Sequence, residues 1–236
     1  MLKLKYVLCA LGALALCALA LFGLQGRWDE PKTVEESKPK VVKVACIGDS
    51  ITYGDGLEER EHECYPAQLG KLLGEHYCVK NYGCNAACAN TNGSKPYIQQ
   101  EAFKDALAFE PEVVVIMLGT NDSRKKEWTE PEKIKEGLKQ IVGDFRKKSP
   151  KCRVIICTPP VMEADSWGLQ SSVVASGLRE LVKQFAQENE LQLVDVFEVT
   201  NEAKEPIHSD GVHLNPVGAK LVAENVLKRV TAKDKK

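Results

Sequence analysis

The chain has 236 residues, of which 44% are hydrophobic and 28% charged, and its formal net charge is −1. That length suits one globular domain plus an appendage. A balance this near neutral, with no basic stripe carrying interleaved aromatics, excludes an electrostatic case for nucleic-acid binding.

Lys3 and Lys5 precede an uncharged run over residues 6–24. A membrane helix needs about 20 apolar residues and a signal-peptide core about 7–15, so residues 1–24 read as a signal peptide or an N-terminal membrane anchor. Ala18-Leu19-Ala20 offers a small-x-small cleavage site, whereas the unbroken run through Leu24 favours retention. Either way the lysines stay inside and the rest is exported. The expected location is periplasmic, extracellular or tethered to the outer face of the cytoplasmic membrane, with membrane contact only through this segment. Residues 25–40, polar and with Pro31 and Pro39, read as a tether. A single domain is expected over 41–232.

A first strand is expected at 41–47, running into Gly48-Asp49-Ser50. A helix-period segment at 65–73 leads to a strand at 77–81, and one at 98–107 to a strand at 113–118. Residues 131–147 read as a helix with Pro131 in its first turn, followed by a strand at 153–157. A helix at 171–188, a strand at 192–196 and a helix at 216–230 complete the domain. Continuous apolar strands separated by helices argue for a parallel sheet covered on both faces. The predicted fold is α/β, a doubly wound (flavodoxin-like) three-layer arrangement with a parallel sheet of about five strands.

The nine cysteines include Cys9 and Cys17 in the apolar run, which leaves seven in the domain, so they cannot all pair internally. Cys46 and Cys157 fall in predicted strands and read as small buried hydrophobes. Cys64, Cys78, Cys84, Cys88 and Cys152 are the disulfide candidates in an oxidising compartment. No pair of C-x-x-C motifs is present, which argues against zinc.

In doubly wound sheets ligands bind outside the carboxyl ends of the strands. Polar groups stand at these places here: Gly48-Asp49-Ser50, "NYGCNAACANTNG" at 81–93, Gly119-Thr120-Asn121-Asp122, and "HSDGVHLN" before the last helix. A serine nucleophile needs a base within reach. His213, three residues after Asp210, has the spacing for a carboxylate to orient its imidazole. Taken alone, Asp210 and Asn215 also read as ordinary turn and cap residues with His213 exposed. The Ser50 N–H and the Asn121 side-chain amide are placed to stabilise an oxyanion. Asp49 reads as a cap or brace of the turn.

Together "GDSIT" at 48–52, "GTND" at 119–122 and "DGVHLN" at 210–215 resemble the GDSL, or SGNH, hydrolases over about residues 41–230. The resemblance implies Ser50 as nucleophile, His213 as base, Asp210 as its orienting partner and Asn121 as an oxyanion donor. The second block departs from the family: the glycine usual five residues after the asparagine that ends the second strand is replaced by Ala86. Its N–H still serves as a donor, but if the position requires φ > 0, alanine costs on the order of 1 kcal/mol and tilts the N–H away. "CIGDSITYGDGLEE", "YPAQLGKLLG", "VKNYG", "SKPY" and "VVVIMLGTNDSRKKEW" are similar to the sialate O-acetylesterase-like branch, bacterial enzymes that deacetylate sugars. Within that branch Tyr97 and Trp128 fall in loops near the strand ends, where an aromatic ring can stack on a sugar; packing over loop cores is the other reading.

The expected function is a serine esterase that removes O-acetyl groups from carbohydrate through an acyl-serine, with no metal or cofactor. A lipid or thioester acylhydrolase of the same fold, and a catalytically weak carbohydrate-binding homologue, are the alternatives. Nucleotide binding is disfavoured: no G-x-x-x-x-G-K-[ST] is present, and "GDGLEE" lacks the third glycine of a dinucleotide fingerprint.

Overall fold

Mostly apolar runs form the strands and amphipathic segments the main helices, with at least one helix between successive strands. The computed structural model describes residues 40–232. The leader and all but the last residue of the tether lie outside them. In chain order come β1 (Val42–Gly48), α1 (Ser50–Tyr53), α2 (Tyr65–Leu73), β2 (Tyr77–Gly83), α3 (Glu101–Ala108), β3 (Val113–Met117), α4 (Pro131–Lys148), β4 (Arg153–Cys157), α5 (Arg179–Glu188), β5 (Gln192–Val194) and α6 (Pro216–Val230). Among the described residues no helix is long and apolar enough to cross a membrane.

The five strands are all parallel, in the order β2-β1-β3-β4-β5. The chain winds outward from β1 in both directions, so the crevice between β1 and β3 is the point where strand order reverses. Ser50 follows β1 and Asn121 follows β3, on either side of that crevice.

Alternation along the strands divides the core into two layers. Ala45, Ile47, Val114, Ile116 and Ile156 face α3, α4 and α5, where Phe103, Ile134, Leu138, Ile141, Phe145 and Phe185 meet them. Val44, Cys46, Val113, Val115 and Ile155 face α2 and α6, against Tyr65, Leu69, Val222, Ala223 and Val226. Burying an aliphatic or aromatic side chain of this size contributes about 1.5–3 kcal/mol. Sheets sandwiched in this way require apolar residues on both faces, which is why the strands read as continuous runs.

The boundaries differ from expectation in ways that bear on the site. β2 runs on to Gly83, because Gly83 and Tyr82 still pair with Gly48 and Ile47. β5 stops at Val194, and Asp195 instead caps a short helix at Val196–Asn201 by accepting the Glu198 N–H. The predicted helix over 171–188 begins with a π-helical stretch at Val173–Leu178. All seven cysteines among the described residues are free thiols, so the five disulfide candidates do not pair. Cys84 and Cys88 share the loop after β2, yet the Cys88 thiol turns to the Asn90 carbonyl.

Gly48 ends β1 under close contact. A β-carbon there would lie 2.2 Å from Thr52 Oγ1 and 2.3 Å from the Met117 carbonyl oxygen. The Met117 carbonyl belongs to the backbone of β3, and the Thr52 side chain is buried in the turn that carries Ser50, so neither gives way without moving the sheet or that turn. Gly48→Ala is expected to destabilise the fold by about 1–3 kcal/mol, as overpacking does, and to lower activity with it. Thermal denaturation checks this; an unchanged Tm would contradict it.

Candidate active site

Ser50 opens α1. Asp49, in extended conformation, is the N-cap, and its Oδ1 accepts the Ile51 N–H at 2.9 Å. At the other end of this single turn the Asn81 side-chain amide donates to the Thr52 and Tyr53 carbonyls. These carbonyls would otherwise be left open at a helix terminus. Strand β2 therefore holds the Ser50 turn from below.

His213 arrives on the loop before α6. Asp210 Oδ1 accepts the backbone N–H groups of Val212 and His213, at 2.8 and 2.9 Å, which folds the three residues into a tight turn. Asn215 caps α6 through the Val217 and Gly218 N–H groups, with Pro216 in the first turn. The turn aims the imidazole back at β1: Asp210 Oδ2 lies 2.8 Å from His213 Nδ1, and Ser50 Oγ lies 3.0 Å from Nε2. With the Nδ1 proton on the Asp210 side, Nε2 accepts the Ser50 hydroxyl proton. Asp55 Oδ2 stands 3.8 Å from Nε2, beyond hydrogen-bond range. Partial burial pushes the Asp210 carboxyl up, but the His213 and Val212 N–H groups outweigh it and hold the pKa below the usual carboxylate value.

The opposite wall is built by the loops after β2 and β3. The Asn121 side-chain amide donates to the Ala87 carbonyl at 3.0 Å, using one of its two N–H bonds. Buried Asp122 accepts the Ala89 and Asn90 N–H groups at 2.9 and 2.7 Å, and Asn90 donates to the Glu127 carbonyl at 2.9 Å. These bonds clamp the two loops together. Ala86 has φ +61°, so the position does take the left-handed conformation and alanine bears its cost of about 1 kcal/mol. Ser50, Ala86, Asn121, Arg124, Trp167 and His213 line one cleft of about 310 Å3. Ser50 and His213 are 8% and 9% exposed, so a substrate reaches them only through that cleft.

Of the residues expected from sequence, Ser50, Ala86, Asn121, Asp210 and His213 converge here. Tyr97 does not: it is fully buried, and its hydroxyl donates to the Tyr82 carbonyl at 2.6 Å, which makes it a loop anchor. Trp128 is not a cleft residue either. It is half-buried over Gly177, where a β-carbon would come within 2.5 Å of its ring. Trp167 and Arg124 are in the cleft and were not expected. Trp167 lies in a polar stretch just after β4, and that place at the sheet's carboxyl edge was the signal available. Among the described residues no group of three or more His, Cys, Asp or Glu side chains forms a set able to hold a metal ion.

Two carboxylates are buried beneath the site. Burial raises Asp49 from the usual 3.8 to about 7, with the charge of Asp122 adding to it. Asp49 Oδ2 meets no donor in good hydrogen-bond geometry, although the Thr120 hydroxyl is near enough to lower its pKa slightly. Burial likewise raises Asp122 to about 6, against the opposing Ala89 and Asn90 N–H groups.

The model of the GDSL-like lipase/acylhydrolase family matches residues 46–221. An acetylxylan esterase of Xylanibacter ruminicola is 35% identical over 216 residues, 84% of this chain, and the match spans 45% of that protein's length. A GDSL esterase/lipase of Arabidopsis thaliana is 28% identical over 68% of this chain and 71% of its own. A carbohydrate acetylesterase from Sinorhizobium meliloti superposes with a TM-score of 0.66 over 80% of this chain and 98% of its own. At 19% identity that likeness shows the shared fold.

The raised Asp49 gives a testable pH dependence. Between 3.8 and about 7 the folded protein holds a proton that the unfolded chain has released. The group's contribution to stability is therefore complete below the lower value and lost as pH rises through the upper one. Asp49→Asn mimics the protonated form, so its Tm is expected to exceed wild type by about 5 °C at pH 8. The gap should narrow at pH 5. Equal Tm differences at both pH values would contradict the assignment.

Proposed function

Because the chain belongs to the GDSL-like lipase/acylhydrolase family, we propose that it is a carboxylic ester hydrolase that removes O-acetyl groups from carbohydrate, with Ser50 as nucleophile. The observation that carries the reading is the continuous hydrogen-bond line from Asp210 through His213 to Ser50 Oγ. A hydroxyl so placed loses its proton to Nε2 as it attacks, and the Asp210 carboxylate stabilises the imidazolium that forms.

In the proposed cycle Ser50 Oγ bonds to the acetyl carbon while its proton passes to Nε2. The carbonyl oxygen becomes an oxyanion, facing the Ser50 and Ala86 N–H groups and the free N–H of Asn121. The bond to the sugar oxygen then breaks, and His213 returns the proton to that oxygen. Water attacks the acetyl-serine, again giving a proton to Nε2, and acetate leaves as Ser50 regains its hydrogen. The residues alone balance every proton.

A cleft of about 310 Å3 is at the small end for ligand sites and suits a short acyl group. The acetylxylan esterase and carbohydrate acetylesterase relatives support a sugar as the alcohol. For location the proposal is export, resting on Lys3, Lys5 and the uncharged run that follows. Three of the buried free thiols are compatible with it. Burial pushes Cys88 and Cys157 up to about 12 and Cys152 to about 11, so they hold little of the thiolate that oxidants attack.

The reading is tested by hydrolysis of acetylated xylo-oligosaccharides and of p-nitrophenyl esters from acetyl to octanoyl. Acetyl is expected to be preferred over octanoyl at least ~10-fold, and Ser50→Ala to lower kcat by about 10³-fold or more, with Tm unchanged. A preference for long chains would overturn the reading in favour of a lipid or thioester acylhydrolase.

A further inference from the structure

The segment between β4 and the π-helical stretch at Val173–Leu178 is fastened to the loop that carries the base. Glu163 and Ala164 N–H groups donate to the Gly211 carbonyl at 2.8 and 3.2 Å, and Ser166 Oγ donates to the Asp210 carbonyl at 2.9 Å. Asp165 Oδ1 accepts the Ser171 N–H at 2.7 Å, and the Leu169 N–H closes on the Ser166 carbonyl at 2.9 Å. Leu169 points inward and is buried; Trp167, two residues earlier, points outward.

Trp167 combines three features. Its φ is +53°, a conformation uncommon for a bulky aromatic residue. It is 61% exposed, the most exposed of the large apolar side chains among the described residues. And it stands at the cleft, its ring 5.5 Å from that of His213 and tilted by 49°. Packing alone would have turned so large an apolar surface inward. Its strained backbone and its place at the rim of the cleft leave the indole positioned to meet a ligand.

The chemistry says which part of the ligand it meets. The oxyanion side of the site is formed by Ala86 and Asn121, whereas His213 must deliver its proton to the departing oxygen. The leaving alcohol therefore lies on the His213 side, the side that Trp167 covers. We propose that Trp167 is the platform for the sugar ring of the leaving alcohol, its indole face meeting the C–H face of a pyranose while the acetyl group sits at Ser50. This rests on the carbohydrate-ester reading above and assigns Trp167 to selection of the alcohol, with no part in selection of the acyl chain.

The test compares kcat/KM for an O-acetylated methyl xylopyranoside with kcat/KM for ethyl acetate, whose alcohol is too short to span a stacking surface. Wild type is expected to favour the sugar ester. Trp167→Ala is expected to reduce that ratio at least ~10-fold, mainly through KM for the sugar, with Trp167→Phe retaining most of it. A ratio unchanged in Trp167→Ala would overturn the proposal. So would equal losses on both substrates, which would make Trp167 a positioning residue for His213. If wild type itself shows no preference for the sugar ester, the carbohydrate reading fails and the platform fails with it.

Discussion

The contact between Ser50 Oγ and His213 Nε2, 3.0 Å long, joins two residues 163 apart in the chain, and the rest of the architecture serves to make it. Each partner comes from a different end of the domain. Ser50 stands where β1 stops inside the sheet, and His213 on a loop that reaches the same edge before α6 packs against the sheet's face. A parallel sheet with its strand order reversing beside β1 puts both loops at one edge. The side-chain line from Asp210 completes the alignment, because the carboxylate that orients the imidazole also ties the backbone of its turn.

The second wall depends on a less favourable arrangement. Burial disfavours the charged forms of both Asp49 and Asp122; the charge of Asp122 raises Asp49 further, and that of Glu127 raises Asp122. Asp122 answers with two backbone N–H bonds, whereas Asp49 has one oxygen without a good donor. Ala86, in the loop after β2, adds left-handed strain to the same wall. Strain and buried charge gather where the oxyanion would form, and the well-packed layers on both faces of the sheet sustain them.

Much of this was legible in the sequence for identifiable reasons. The sheet was legible because strands buried on both faces must be apolar throughout. That Ser50, Asn121, Asp210 and His213 come together was legible because each stands in a polar segment at the sheet's carboxyl edge, after a strand or before the last helix. The aromatic contacts were not. Tyr97 and Trp128 lie in loops near the strand ends, as does Trp167, and sequence distance to a strand does not tell whether a ring turns inward or outward. That choice is made by tertiary contacts: the Tyr82 carbonyl draws in Tyr97, Gly177 leaves a hollow for Trp128, and the bonds to Asp210 and Gly211 hold Trp167 at the cleft. Cys46 and Cys157 are buried as their strand positions imply, whereas the five disulfide candidates stay unpaired, since pairing depends on geometry that spacing does not record.

The central claim is that Ser50 is the activated nucleophile of an acyl-transfer site. Its most direct test is labelling with an organophosphate ester, diethyl p-nitrophenyl phosphate, followed by peptide mass mapping. One diethylphosphoryl group per chain is predicted, on the peptide containing Ser50, with activity lost in proportion to labelling. A fully active protein carrying no label, or a label on a residue other than Ser50, would contradict the account.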